Sequence, residues 1–338
     1  MWQMKARWIL STMMAVTFVA LSVAAYLALL GPIAGDKVAN RLRLAINPWP
    51  GYEVLYLAHV RDLYRQQGLE VDLVQFSTLD DARRSFERGQ VDAVATTLVD
   101  VMQIYQGTGE RPVVVLVTDY SDGADVIIAR GEGIRSPRDL KGKRVAVEQM
   151  FGRFVLQVAL AKSGLSLQDV RLVEASVLEG PDLLKAREVD AFVTYAPQSV
   201  SAARVPGART IFTSSETPGK ILDVVAVRPG VLDEIPDLRA RLARAWGQSL
   251  QVMRDYPGEA IRIMARREGL SDDEFRQALK GVHLVPEAEQ LEMLRIGGPV
   301  EQGLERLAGF KGWISPVARP QPDASTFLAP VTELGTAN

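Results

Sequence analysis

Two kinds of spacing alternate along the chain. Short runs of aliphatic and β-branched residues are separated by stretches in which apolar residues return every three or four positions. The first such series predicts a strand at Leu42–Asn47 (LRLAIN), a turn through Pro48-Trp49-Pro50-Gly51-Tyr52, and a helix over 53–67. Gly68 suits the left-handed position past a helix end. A strand over 69–76, a helix over 79–87 and a strand over 91–95 complete the series. A second series repeats the plan: a strand over 144–147, a turn over 148–152, a helix over 153–163 ending at Gly164, a strand over 170–175, a helix over 179–187 and a strand over 189–193. The echo is clearest in Val91-Asp92-Ala93-x-x-Thr96 against Val189-Asp190-Ala191-x-x-Thr194.

Strands alternating with helices call for a mostly parallel sheet flanked by helices. Two such units predict an α/β chain with two similar lobes. Ligands of open α/β sheets bind beyond the carboxyl ends of the strands. Those ends are 47–52, 96–98, 148–153 and 194–197, and facing lobes would bring all four to one cleft. Strand-like runs at 112–120, 210–215 and 222–227 predict paired crossovers, with hinges near 120–125 and 217–223. Beyond Leu232 the pattern is helical to about Ala308, and a proline-bearing tail follows from Phe310. The expected division is residues 1–40 as a signal sequence or membrane anchor and 41–124 with 222–310 as one lobe. Residues 125–221 form the other, and 311–338 a C-terminal strap.

The stretch between Trp8 and Gly35 carries no charge and follows Lys5 and Arg7. It is long enough to span a bilayer and longer than the usual hydrophobic part of a cleaved signal. With Ile33 and Pro32 ahead of Gly35 there is no small-x-small cleavage site. Tethering to the outer face of the cytoplasmic membrane by residues 8–34 is therefore expected ahead of cleavage.

Composition narrows the function. Net charge is −2, which with no basic stripe argues against nucleic acid. Cysteine is absent, removing disulfides and thiolate chemistry, and the two histidines, His59 and His283, are not in metal-ligand spacing. No Gly-x-Ser-x-Gly elbow is present.

Seven fragments in order, LRLAINPWPGYEVLYLA, FERGQVDAVATTLVD, VTDYSDGADVIIAR, SPRDLKGKRVAVE, VDAFVTYAP, FTSSETPGKILDVVAVR and AWGQSLQVMRDYPGEAIRIMA, resemble the periplasmic substrate-binding proteins of ABC importers. The group in question is the nitrate/sulfonate/taurine (NitT/TauT, SsuA-like) and thiamine-precursor group. The resemblance implies a two-lobed, two-crossover flytrap of type II, acting as a monomer in the periplasm with a small-molecule ligand and an ABC permease as partners. It implies no cofactor, no metal and no catalysis. It also places ligand contacts at Trp49, Pro50, Gly51, Tyr52, Thr96, Thr97, Ser121, Asp125, Glu148, Phe151, Gly152, Tyr195 and Asp223. One departure is Ala196, where relatives often carry Glu between the aromatic residue and the proline. A membrane-tethered sensor is the alternative function. A thiamine-pyrimidine synthase is a remote one, since that chemistry calls for a cysteine-rich stretch and clustered histidines.

Each position also has a plainer reading. Trp49, Tyr52 and Phe151 could simply pack, one of Thr96 and Thr97 could serve only as a helix cap, and Ser121 and Asp125 could hold a turn. Arg153 could clamp an anion or make a surface ion pair. Around the expected cleft, Asp119, Asp122, Asp125, Glu148 and Asp223 outnumber Arg153. A small organic ligand, nitrogenous or sulfonate-like, is expected, and this excess of acids favours a neutral or cationic nitrogenous one with a planar part.

Overall fold

The computed structural model describes residues 40–307, 310, 313 and 319–328. The apolar segment expected to anchor or export the chain, residues 8–34, lies outside the described residues, as does much of the expected strap. Among the described residues no helix is long and apolar enough to cross a membrane.

The strands are β1 (Arg41–Ile46), β2 (Glu70–Gln75), β3 (Ala93–Thr97), β4 (Val113–Ser121), β5 (Val126–Arg130), β6 (Arg144–Val147), β7 (Arg171–Glu174), β8 (Ala191–Thr194), β9 (Ala208–Thr213), β10 (Leu222–Val227) and β11 (Val282–Leu284). They form two sheets. One has the order β11-β4-β10-β3-β1-β2 and the other β7-β6-β8-β5-β9. In each, a parallel trio is extended by antiparallel strands: β2-β1-β3 in the first, β7-β6-β8 in the second. β3 and β10 are buried at every position, as expected of strands covered on both faces. The chain passes between the sheets twice, from β4 to β5 and from β9 to β10.

The repeated Val-Asp-Ala motif has a structural cause. Asp92, just before β3, accepts from the Arg43 amide at 3.0 Å and from its guanidinium at 2.9 and 2.7 Å. Asp190, just before β8, accepts from the Arg144 amide at 2.8 Å and from its guanidinium at 3.3 and 3.1 Å. In each sheet one aspartate locks the entry of an outer strand of the trio to the central one.

Several expected boundaries shift. The helix expected over 53–67 is two, Glu53–Val60 and Leu63–Gln66. Asp62 between them takes a left-handed backbone (φ 56°), which an aspartate tolerates. The break turns Leu63 and Tyr64 inward, and the Tyr64 hydroxyl donates to the Leu55 carbonyl at 3.1 Å. The second lobe's first helix begins at Gln149 rather than 153, so the expected turn 148–152 is mostly its first turn. The helical region after Leu232 is interrupted by β11, which pairs with the end of β4. There His283 stacks on Tyr120 with centroids 4.3 Å apart.

The two crossovers are tied together. Ser121 Oγ and Ser214 Oγ lie 2.6 Å apart, and the Gly123 amide donates to Ser214 Oγ at 2.7 Å. The amides of Asp122 and Ala124 donate to the Gly281 carbonyl. A side chain on Gly281 would come within 2.6 Å of the Ala124 nitrogen, so only glycine lets this segment seat against the start of β11.

Candidate functional site

Strand ends from both sheets meet at one small cavity. Asn47, Trp49 and Tyr52 follow β1, Leu79 follows β2, and Thr97 ends β3. Asp223 is near the start of β10, Asp125 lies on a crossover, and Phe151 and Tyr195 come from the second lobe. The volume left among these side chains is about 10 Å³, room for about one water molecule. A ligand of several atoms therefore enters only if the lobes part or the aromatic rings swing.

The rings form a chain across the cleft. Trp49 meets Tyr195 edge-on at 5.7 Å, joining one lobe to the other. Tyr52 lies 6.5 Å from Trp49, and Phe151 lies 6.1 Å from Tyr195.

Each polar ring of this chain donates to a buried carboxyl. Trp49 Nε1 reaches both oxygens of Asp119, at 3.1 and 3.3 Å. The Tyr52 hydroxyl donates to Asp223 Oδ1 at 2.6 Å, and the Tyr195 hydroxyl to Glu148 Oε2 at 3.0 Å. Gly51 makes the first of these pairs possible, because a side chain there would collide with the Asp119 carboxyl and the Trp49 indole nitrogen.

Burial dominates the electrostatics. It pushes the Asp119 carboxyl up to about 7, against lowering by Thr118 and Trp49. It pushes Asp125 to about 7, with the nearby Ser121 hydroxyl acting the other way. Glu148 rises to about 8 through burial and then the charge of Asp80, with Tyr195 lowering it. Asp223 is held well above the usual carboxylate range by burial and then by Asp119. The charges that raise these groups belong to other acids. The buried Arg83 in the same region is held by Asp80 at 3.0 Å, Glu87 at 2.5 Å and Asp100 at 3.5 Å.

Hydrogen bonding leaves a one-sided remainder. Both oxygens of Asp125 lack a partner, as do Asp223 Oδ2, Glu148 Oε1, Asn47 Oδ1 and Thr96 Oγ1. Asp125 is 1% exposed. Buried polar groups are seldom left so, and orphaned acceptors at a cavity mark where a donor can dock.

The sequence-derived positions divide accordingly. Trp49, Tyr52, Thr97, Asp125, Phe151, Tyr195 and Asp223 line the cavity. Glu148 is joined to it through Tyr195. Thr97 is also the cap of the Leu98–Thr108 helix, accepting from the Asp100 amide at 3.2 Å. Thr96 is buried on β3 and is not that cap. Ser121 ties the crossovers, accepting from the Asp125 amide at 3.2 Å. Gly152 packs on Val147, which a side chain would approach to 3.2 Å, so it serves the seating of the helix on β6. Arg153 pairs with Glu174 instead of facing the cavity.

Asn47 and Leu79 line the cavity although sequence patterning does not single them out, and Asp119, which that patterning marks only as a nearby charge, holds Trp49. Asn47 and Leu79 follow strand ends, which was the available signal. Asp119 lies within β4 and carries no such mark. Among the described residues no group of three or more His, Asp or Glu is disposed to hold a metal ion.

Comparisons with known proteins agree with this architecture. The family model described as NMT1/THI5 like matches residues 49–260. A protein of Brucella abortus (strain 2308), provisionally named a binding protein, is 24% identical over 313 residues, 89% of this chain and 90% of its own. The 4-amino-5-hydroxymethyl-2-methylpyrimidine phosphate synthase of Schizosaccharomyces pombe (strain 972 / ATCC 24843) is 27% identical over 145 residues, 42% of this chain and 40% of that enzyme. The alkanesulfonate-binding protein SsuA from Xanthomonas axonopodis pv. citri, solved bound to MOPS, superposes with a TM-score of 0.66 at 17% identity, over 79% of this chain and 91% of that one. That likeness establishes the fold: an α/β periplasmic binding protein with two sheets.

Proposed function

The chain belongs to the NMT1/THI5-like family, and from that premise we propose that it is the extracytoplasmic solute-binding protein of an ABC-type importer. It captures a small organic molecule between its lobes, at a site built from Trp49, Tyr52, Thr97, Asp125, Phe151, Tyr195 and Asp223. Glu148 and Asp119 support that site through Tyr195 and Trp49. The observation that carries the reading is Asp125. It is a carboxyl buried at the junction of the lobes, on the cavity wall, with neither oxygen partnered. Desolvating such a group is unfavourable unless something pairs with it, and a ligand is what would do so.

Ligand binding shifts an open–closed equilibrium only by its difference in affinity for the two states. Contacts split between lobes supply that difference, because Trp49 and Tyr52 stand on one lobe while Phe151 and Tyr195 stand on the other. The groups gathered here hold a solute, and the reading is of a binding protein rather than an enzyme. The stretch of likeness to the fission-yeast synthase covers less than half of either chain.

The uncharged stretch at 8–34 favours a tethered protein over a freely diffusing one. This leaves a second role, a sensor whose closed form acts on a membrane partner. The test of function is reconstitution of the full chain in vesicles with a candidate ABC permease and its ATPase from the same organism. Solute-dependent ATP hydrolysis supports the importer, and its absence with solute binding intact supports the sensor.

A further inference from the structure

We propose that the solute is a compact organic cation with N–H donors on a flat or apolar frame, a protonated amine, amidine or guanidine, and not a sulfonate, nitrate or other anion. This rests on the binding-protein reading of the same cleft and narrows it to a chemical class.

The first ground is an inventory of donors and acceptors. The hydrogen-bond donors near the cavity are already committed to the protein: Trp49 Nε1 to Asp119, the Tyr52 hydroxyl to Asp223, the Tyr195 hydroxyl to Glu148 and Asn47 Nδ2 to the Pro48 carbonyl. Among the side chains that line the cavity, the unpartnered atoms are oxygens: both of Asp125, Asp223 Oδ2 and Asn47 Oδ1. Off the cavity wall, Glu148 Oε1 and the Thr96 hydroxyl are also unpartnered, as is Arg83 Nε, which lies 3.5 Å from Asp100. A ligand that satisfies this set brings hydrogens. A sulfonate or nitrate brings more oxygen and leaves these acceptors unpaired, whereas a cation pairs with them and favours their ionised form.

The second ground is charge. No lysine or arginine lines the cavity, while Asp125 and Asp223 do. The charges acting on the buried carboxyls are those of other acids: Asp125 on Asp119; Asp119, Asp125 and Asp100 on Asp223; Asp80 and Asp100 on Glu148. Four helix N-termini lie beside the cleft and could in other settings receive an anion. Each is already furnished with acids: Glu53 opens the Glu53–Val60 helix, and Asp80 and Asp81 lie in the first turn of the Leu79–Glu87 helix. Glu148 stands at the start of the Gln149–Ala161 helix, and Asp100 sits in the first turn of the Leu98–Thr108 helix beneath the Thr97 cap.

The third ground is the wall. Trp49, Tyr52, Phe151 and Tyr195 surround the same space, and aromatic faces attract a cation while giving a planar frame a surface to stack on. A bare metal ion would not use such walls.

Thermal-shift and calorimetric titrations of the full chain in mild detergent test this, with benzylamine, benzamidine and agmatine as cations. Neutral benzamide, benzenesulfonate, nitrate, magnesium and calcium are the controls. The cations are expected to bind, the tightest raising Tm by about 5 °C at a hundredfold excess over its Kd. Benzamidine should bind at least tenfold tighter than benzamide. Asp125→Asn and Asp223→Asn should each weaken cation binding tenfold or more, and either variant suffices if the other misfolds. Binding of benzenesulfonate or nitrate but of no cation overturns the cation inference and leaves the binding-protein reading standing. A metal-ion shift without any organic one overturns it too. Binding of none of the probes overturns the cation inference alone, since the binding-protein reading is tested separately by the vesicle assay.

Discussion

Replacing Asp125 with asparagine should make the empty protein more stable, and more so at high pH than at low. Asp125 is almost wholly buried, and neither carboxyl oxygen has a partner. Burial moves its carboxyl from 3.8 up to about 7. The folded chain then holds the proton more tightly than the unfolded chain does. The stability contributed by such a raised group is fully present below 3.8 and is lost as pH rises through about 7. Each pH unit in that window is worth about 1.4 kcal/mol. The burden on the folded state is therefore about 2 kcal/mol at pH 5 and about 4 kcal/mol at pH 8. Asparagine keeps the shape and never ionises. Its advantage over aspartate should widen by about 3 kcal/mol between the two pH values, or about 5 °C in relative Tm for a chain of this size. Melts of both proteins at pH 5 and pH 8 read this directly. An equal difference at the two pH values would mean that Asp125 titrates normally and is well hydrated, and the buried, acceptor-lined cleft would be refuted. A gain in stability bought at the binding site is the usual direction of such trades.

Trp49→Ala removes the ring that bridges Asp119 and Tyr195, and should lower solute affinity at least a hundredfold and stability by about 3 kcal/mol; calorimetry with unchanged affinity would remove Trp49 from the site. Gly281→Ala drives a methyl group into the backbone of the first crossover and should cost about 1–3 kcal/mol by urea melts, so no cost would show that the crossover is not seated there. Asp92→Ala and Asp190→Ala each break an aspartate–arginine clamp and should cost similar amounts, about 1–2 kcal/mol; a large inequality would deny the two clamps equivalent roles. Small-angle scattering should find the empty chain more compact at pH 5 than at pH 8, because neutral carboxyls lose water at less cost when the lobes meet, and a pH-independent radius would contradict this.

The repeat and the alternation of strands with helices were legible because each rests on local patterning: runs such as RVAV at 144–147, helix stops at Gly68 and Gly164, and the paired Val-Asp-Ala motifs. Both glycines do take left-handed backbone, at φ 69° and 70°. What escaped depends on contacts between distant residues. β11 is three residues long with an exposed middle, and it exists because the end of β4 pairs with it. Asp62 breaks a helix whose apolar pattern runs on, because the break buries Leu63 and Tyr64. At the cleft, strand ends were readable in one dimension, but the pairing of Trp49 with Asp119, 70 positions away, and of Tyr52 with Asp223, 171 away, was not. Nor could spacing show that Gly51 clears room for the first pair while Gly152 merely seats a helix.

Asp125 joins recognition to movement. It lies on the crossover between the sheets, where its amide donates to Ser121 Oγ and its carbonyl accepts from the Ser214 amide, while its carboxyl faces the cavity unpartnered. When the lobes separate, water can reach that carboxyl and those of Asp223 and Glu148, so the open empty state is favoured by their hydration. When the lobes meet around nothing, the same carboxyls go dry, and the contacts across the gap, Trp49 against Tyr195, Phe154 against Phe310 and Arg204 with Glu274, have to offset the loss. On the proposed function, a solute whose donors replace that hydration removes an obstacle to closure, at a residue on a crossover between the sheets. On the same reading, the solute adds to these lobe-to-lobe contacts what they lack, a partner for the buried carboxyl of Asp125.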